Sequence, residues 1–242
     1  MHVADPLEGH TSKTVDQALH ELRTHAVEMG GLVIDQVGSA VKALLERDAR
    51  LADVVLSREP QVNDYESRID RESLTFMALH QPVASDLRAA RAIARSALEL
   101  ERVGDESKKI ARFAAKLGAV APHDPVTAVA RSLRHMATLS TTLLRGAVRA
   151  LDEANPTLAR DVLDRDRELD EEFASALRQV MSFVIEDQQF LRPTVDTVFA
   201  LKGLERIGDH AKNVAEQVLY MVEGERPRKQ KKGDRGQGTG DS

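Results

Sequence analysis

The residues with the greatest chemical potential fall in two short segments. LERIGDHAKN, Leu204 to Asn213, places Glu205, Asp209 and Asn213 at successive steps of four, and LERVGDESKKIA, Leu100 to Ala111, places Glu101 and Asp105 at the same step. A step of four returns nearly to the same side of an α-helix, so each segment stacks oxygen-bearing side chains along one edge. Like charges at that spacing cost roughly a few tenths of a kcal/mol on an exposed helix. Lys202, Arg206 and Lys212 offset that cost in one reading, and a bound cation compensates it in the other. Hard divalent or ferric ions prefer carboxylate and amide oxygens, which makes these edges candidate metal ligands; the alternative is a set of solvated or salt-bridged helical acids.

Complementary ligands would come from the preceding helices: Asp64, Glu66, Asp70 and Glu72 in the first half, and Asp166, Glu168, Asp170 and Glu171 in the second. His210 points about 100° around the helix from Asp209, so it reads as a neighbouring or surface group rather than a ligand. The Glu-x-x-His pattern of carboxylate-bridged oxidases does not occur. Nor do a Walker A sequence, a GxGxxG fingerprint, an HExxH pair or a serine elbow. No catalytic residue is nominated.

The elements that position these edges are helices. Apolar residues recur at steps of three and four from Leu19 to Leu44, and again from about Ala49 to Leu79, where Pro60 predicts a kink or short break. A third helix is expected from Pro82 to Leu117. Asp124 followed by Pro125 predicts a capped fourth helix to about Leu151, Asn155 and Pro156 a fifth to about Glu186, and a last helix runs from about Gln189 to Val222. Each would hold roughly 30 residues, about 45 Å of rise.

LERVGDESKKIA and LERIGDHAKNVA agree at seven of twelve positions, 104 residues apart, each within the third helix of its half. This is the mark of an internal duplication. The expected fold class is therefore all-α, with two tandem, similar three-helix bundles spanning residues 10–118 and 124–223. Residues 224–242 read as a disordered basic tail.

Composition narrows the function classes. Cysteine is absent, which removes disulfides and thiolate metal sites and suits a reducing compartment, the cytoplasm. No run is long and apolar enough to predict a membrane span, and the polar start has no signal-peptide pattern. The formal net charge is -5, and residues 225–242 carry six Lys or Arg against three acids, leaving -8 for the body. An acidic body argues against direct nucleic-acid binding.

The paired segments, with FMALHQPVASDLR at Phe76 to Arg88 and VAEQVLYMVEGE at Val214 to Glu225, resemble the PhoU family of phosphate-uptake regulators. The resemblance covers nearly the whole chain except its termini. It implies two three-helix bundles, a cytoplasmic protein that forms a homodimer, peripheral association with a membrane complex, and negative control of phosphate uptake and the phosphate-starvation response. The implied partners are the ATPase of the high-affinity phosphate transporter and a phosphate-sensing histidine kinase. It further implies metal at the acidic motifs, with iron, manganese, magnesium or zinc as candidates. Glu101 and Asp105 match the first motif; Glu205, Asp209 and Asn213 match the fuller second one. Lys109 stands where an asparagine often does, and its charge is expected to weaken the first site. The alternative function is a metal-dependent helical enzyme such as a phosphohydrolase.

Overall fold

The computed structural model describes residues 13–117, 124–186 and 191–224. The expected basic tail beyond 224, the connection at 118–123 and the start of the last helix at Gln189 lie outside the described residues. Eight helical segments carry the described chain: α1 (Lys13–Glu46), α2 (Ala49–Ser57), α3 (Glu59–His80), α4 (Ala84–Lys116), α5 (Pro125–Ala128), α6 (Ala130–Asp152), α7 (Pro156–Glu186) and α8 (Leu191–Glu223). The expected second helix is divided into α2 and α3 at Arg58, because Pro60 sits in the first turn of α3 and cannot continue the hydrogen-bond ladder from α2. The expected fourth helix is preceded by the single turn α5.

Local chemistry fixes the ends. Asp48 caps α2 by accepting from the backbone N–H groups of Arg50 and Leu51 at 3.0 and 3.1 Å. Asp124 caps α5 by accepting from the Thr127 N–H at 2.8 Å. The Asp124 carboxylate is also 2.5 Å from the Arg47 guanidinium at the end of α1, so one buried side chain starts the second half and ties it to the first.

In the first half, α1, α2 and α3 pack against α4; in the second, α6 and α7 pack against α8. The two bundles then share faces. The most extensive helix pairing in the molecule is α4 with α8, and α1 lies along α6. The first helix of one half thus meets the first of the other, and the third meets the third, as in a twofold pair. One continuous core of buried Leu, Ile, Val, Ala and Met runs through both halves, including Met29, Leu44 and Ile93 of the first and Leu133, Leu144 and Leu201 of the second. At the α1·α6 crossing, a Cβ on Gly30 would lie 2.6 Å from Val148 Cγ2, so glycine is what lets these helices touch.

Candidate metal edges and the seam between bundles

The acidic edges lie where the third helix of each half faces the second. Gly104 lets α4 approach Val62 of α3, and Gly208 lets α8 approach Leu169 of α7, so each edge is held against acids across a narrow cleft. In the second half those acids are Asp166 and Asp170. Although Asp209 borders solvent, partial burial of its carboxylate and the charges of Glu205, Asp166 and Asp170 raise its pKa above the ordinary aspartate value. Glu168 and Glu171 are exposed. In the first half, burial and the charges of Asp105 and Glu66 raise the pKa of Glu101. Asp64 and Asp70 are exposed, and Glu72 is drawn to His25 of α1 and to Arg68, each at 2.8 Å.

Lysines partly neutralise both edges. Lys202 Nζ lies 2.5 Å from Glu205 Oε2, and Lys212 donates to Asp166 at 2.5 Å. Burial works against the charge of Lys212, yet its bond to Asp166 and the nearby Asp209 and Asp170 raise its pKa. In the first half, Lys108 donates to Glu59 of α3 and lies 3.7 Å from Asp105. Lys109, expected to face the first edge, instead pairs with Glu106 at 2.8 Å; the lysine on that edge is Lys108. Lys108 and Lys212 occupy the same position in the two repeats, a signal that the duplicated segments carry openly.

Asn213, the third member of the expected ligand line, is turned the other way. Its amide donates to Glu99 Oε2 of α4 at 2.9 Å, beside a His210 Nδ1 contact to the same oxygen at 2.8 Å. Arg102 donates to the other Glu99 oxygen at 3.2 Å. Burial opposes the Glu99 charge, but the bonds to His210 and Asn213, with Arg102 nearby, hold its pKa below the usual glutamate range. One turn pair further along α4, buried Glu106 is met by Lys109 and by Arg206 of α8 at 3.3 Å. Two buried glutamates therefore form the polar part of the α4·α8 seam, each bound by side chains of both halves or facing them.

The donor chemistry of the second edge suits a hard cation: clustered carboxylates raise the Asp209 pKa, and positive charge would relieve them. The spacing does not assemble a closed site, since among the described residues no three His, Cys, Asp or Glu side chains are grouped to hold one ion. No described helix is long and apolar enough to cross a membrane.

The fold and these edges define a duplicated all-α protein in which two three-helix bundles, each with one Glu-x-x-x-Asp edge, are joined along their first and third helices. Comparison with known proteins gives the family. The PhoU domain model matches residues 26–114 and 133–218, one match in each half. The phosphate-specific transport system accessory protein PhoU homolog of Pseudomonas putida is 38% identical over 222 residues, 91% of this chain and 85% of that one; the Pseudomonas aeruginosa homolog is 37% identical over 91% and 90%. The crystal structure of PhoU from Pseudomonas aeruginosa matches 87% of this chain and 99% of its own with a TM-score of 0.80. The phosphate transport system regulatory protein PhoU from Streptococcus pneumoniae, 25% identical, covers 88% of this chain and 99% of its own with a TM-score of 0.79. The chain belongs to the PhoU family. Membership makes it a regulator in phosphate transport and signalling rather than a catalyst, and the phosphohydrolase alternative is set aside on that ground.

Proposed function

We propose that this protein is a cytoplasmic adaptor that restrains phosphate uptake and the phosphate-starvation response when phosphate is plentiful. Its partners in this reading are the ATPase of the phosphate transporter and a phosphate-sensing histidine kinase, and it works as a homodimer peripheral to their membrane complex. The observation that carries the reading is the family match, which spans both repeats and most of the length of each relative. An adaptor needs surfaces that respond to one partner and are read by another, and the two bundles, packed together along α4·α8 and α1·α6, offer such surfaces on one body.

Within this proposal, Glu205 and Asp209, with Asp166 and Asp170 from α7, would become the oxygen donors for a hard cation such as iron, manganese, magnesium or zinc by closing around it and releasing Lys202 and Lys212, since they are not grouped to hold one ion as they stand. The ion would neutralise the cleft and brace α7 against α8. Asn213 joins that set only by exchanging its bond to Glu99. Glu101 and Asp105, with Glu66, form the weaker counterpart, Lys108 lying close to Asp105.

A pull-down of the untagged protein at high and low phosphate, comparing wild type with the Glu205→Ala, Asp209→Ala double variant, tests both levels. Recovery of ATPase or kinase by wild type supports the adaptor; failure to recover either defeats it. Unchanged partner capture by a variant that has lost measured metal defeats an obligatory metal role in the contact.

A further inference from the structure

The N-terminal part of α8 carries a stripe of apolar side chains that the bundle does not cover. Leu191, Val195 and Phe199, at steps of four, are 54%, 43% and 69% exposed. A phenylalanine so open on a helix that otherwise buries its apolar face is unusual, and contiguous exposed apolar surface marks an interaction site. Beside Phe199, between α8 and the end of α4, lies a cavity of about 220 Å³. Ile110, Phe113 and Ala200 supply its apolar walls, and Lys109, Arg112 and Lys116 stand around it, with Asp196 the single acid. Lys109 is engaged by Glu106, and Arg112 is close enough to Glu59 of α3 to lower its pKa, which leaves Lys116 as the cation of the rim with no ion pair within 4 Å among the described residues.

The duplication supplies an internal control. Subtracting the repeat offset of 104 residues, Leu191, Val195 and Phe199 correspond to Leu87, Arg91 and Arg95, and Lys116 corresponds to Tyr220. At that other end of the α4·α8 seam Leu87 is also exposed, at 41%, but the positions equivalent to Val195, Phe199 and the rim lysine are filled by the protein's own polar side chains. Arg91 lies 5.4 Å from the centre of the Tyr220 ring and donates to its hydroxyl at 3.1 Å, and buried Gln217 stands where the open end has Phe113. One end is closed by a stacked pair; its equivalent keeps two phenylalanines around a hollow rimmed with positive charge.

We infer that the open end is a docking groove for a helical segment of another protein, one that inserts apolar side chains beside Phe199 and sets carboxylates against Arg112 and Lys116. The concavity suits a protruding side chain better than a flat bilayer, and the 220 Å³ hollow has room for one large apolar group. The stripe is two turns long and follows one helix face, the geometry of a helix laid in a groove. Charge complementarity selects the partner: in a chain of net charge -5 this rim is locally basic, so the segment that fits is acid-flanked. The chain's own residues beyond 224 are an unsuitable occupant, being basic and attached at the opposite end, where Gly224 lies against Arg88. The inference does not depend on metal at the acidic edges.

The test is photocrosslinking with the full-length protein in the cells that make it. Phe199→p-benzoylphenylalanine and, as the control at the closed end, Arg95→p-benzoylphenylalanine are irradiated, and the crosslinked peptides are sequenced. The expected result is a crosslink, specific to position 199, to a segment of another protein with apolar residues at steps of three and four flanked by Asp or Glu. It disappears when Arg112→Glu and Lys116→Glu are added. A synthetic peptide of that segment, followed by fluorescence anisotropy, should bind at least about tenfold more weakly to Phe199→Ser than to wild type. Phe199 is exposed, and an unchanged circular dichroism melt confirms that the variant is folded. Crosslinking to a second copy of this chain, to lipid, or to nothing above the Arg95 control overturns the inference. So does a crosslink that survives charge reversal, or an affinity that Phe199→Ser leaves unchanged.

Discussion

Removing the Glu99 carboxylate should loosen the joint between the two bundles. Glu99 is 5% exposed and receives His210 and Asn213 from the opposite half and Arg102 from its own helix. Glu99→Ala deletes the shared acceptor and leaves the half-buried Asn213 amide and His210 ring nitrogen without it. Breaking a charged, hydrogen-bonded cluster of this kind costs about 3 kcal/mol, less than a fully enclosed ion pair because Arg102 is half exposed. For a chain of this size that is a Tm decrease of about 6–12 °C, read by circular dichroism at 222 nm. A double-mutant cycle of Glu99→Ala with Asn213→Ala should give a coupling of about 1 kcal/mol or more. The pH dependence has a defined sign. Because the folded state holds the Glu99 pKa below its ordinary value, the stabilisation is complete above the unfolded glutamate pKa and is lost as pH falls through the folded one. The stability gap between wild type and Glu99→Gln should therefore be widest near neutrality and narrow below about pH 4. A Tm decrease under about 2 °C for Glu99→Ala, or the absence of coupling to Asn213, would refute the claim that this cluster holds the halves together.

Other perturbations probe separate parts of the structure. Asp209→Asn removes a carboxylate whose raised pKa marks it as unfavourably charged, so at neutral pH in chelator it should raise the Tm slightly, solvent screening at this exposed position keeping the gain small; the advantage should shrink on adding manganese or magnesium if a cation supplies the same relief. Asp124→Ala removes both a helix cap and the partner of half-buried Arg47 and should cost about 2–4 kcal/mol in urea unfolding. Two adjacent glycines should respond with opposite signs. Gly30→Ala drives a methyl group into Val148 and should cost about 1–3 kcal/mol, rescued in part by Val148→Ala, whereas Gly31→Ala points into open space and should gain about 0.5–1 kcal/mol.

The helices were readable because their causes are local. Asp124 before Pro125 announces a cap, Pro60 announces a break, and the repeated LER-x-GD segment announces the duplication. The seam was harder, since its evidence is spread over both halves. Glu99 and Glu106 fall among Ser96, Val103 and Ile110 at core spacing, a pattern that places them inside, but a glutamate on a helix is usually solvated and reads so until its partner is known. Asn213 shares an edge with Glu205 and Asp209 by spacing alone; its side chain turns toward Glu99 because that buried carboxylate needs donors. Among the α7 acids, Asp166 lies on a stripe with Val162 and Leu169, a period that separates it from Glu168 and Glu171. Periodicity finds the face, and only the facing helix decides which group on it is used.

The pairing of α1 with α6 and of α4 with α8 has an ancestral consequence. It is the contact that two identical half-length chains would make in a symmetric dimer, with each patch meeting its own copy. Fusing them in one gene would make the partner permanently present and remove the requirement that both copies stay alike. The seam records that release: the position held by Glu99 in one copy is Gly203 in the other, Glu106 answers to His210, and Lys109 to Asn213. A present-day interface within one chain is thus readable as a former interface between two, in which a self-complementary contact became free to specialise on each side.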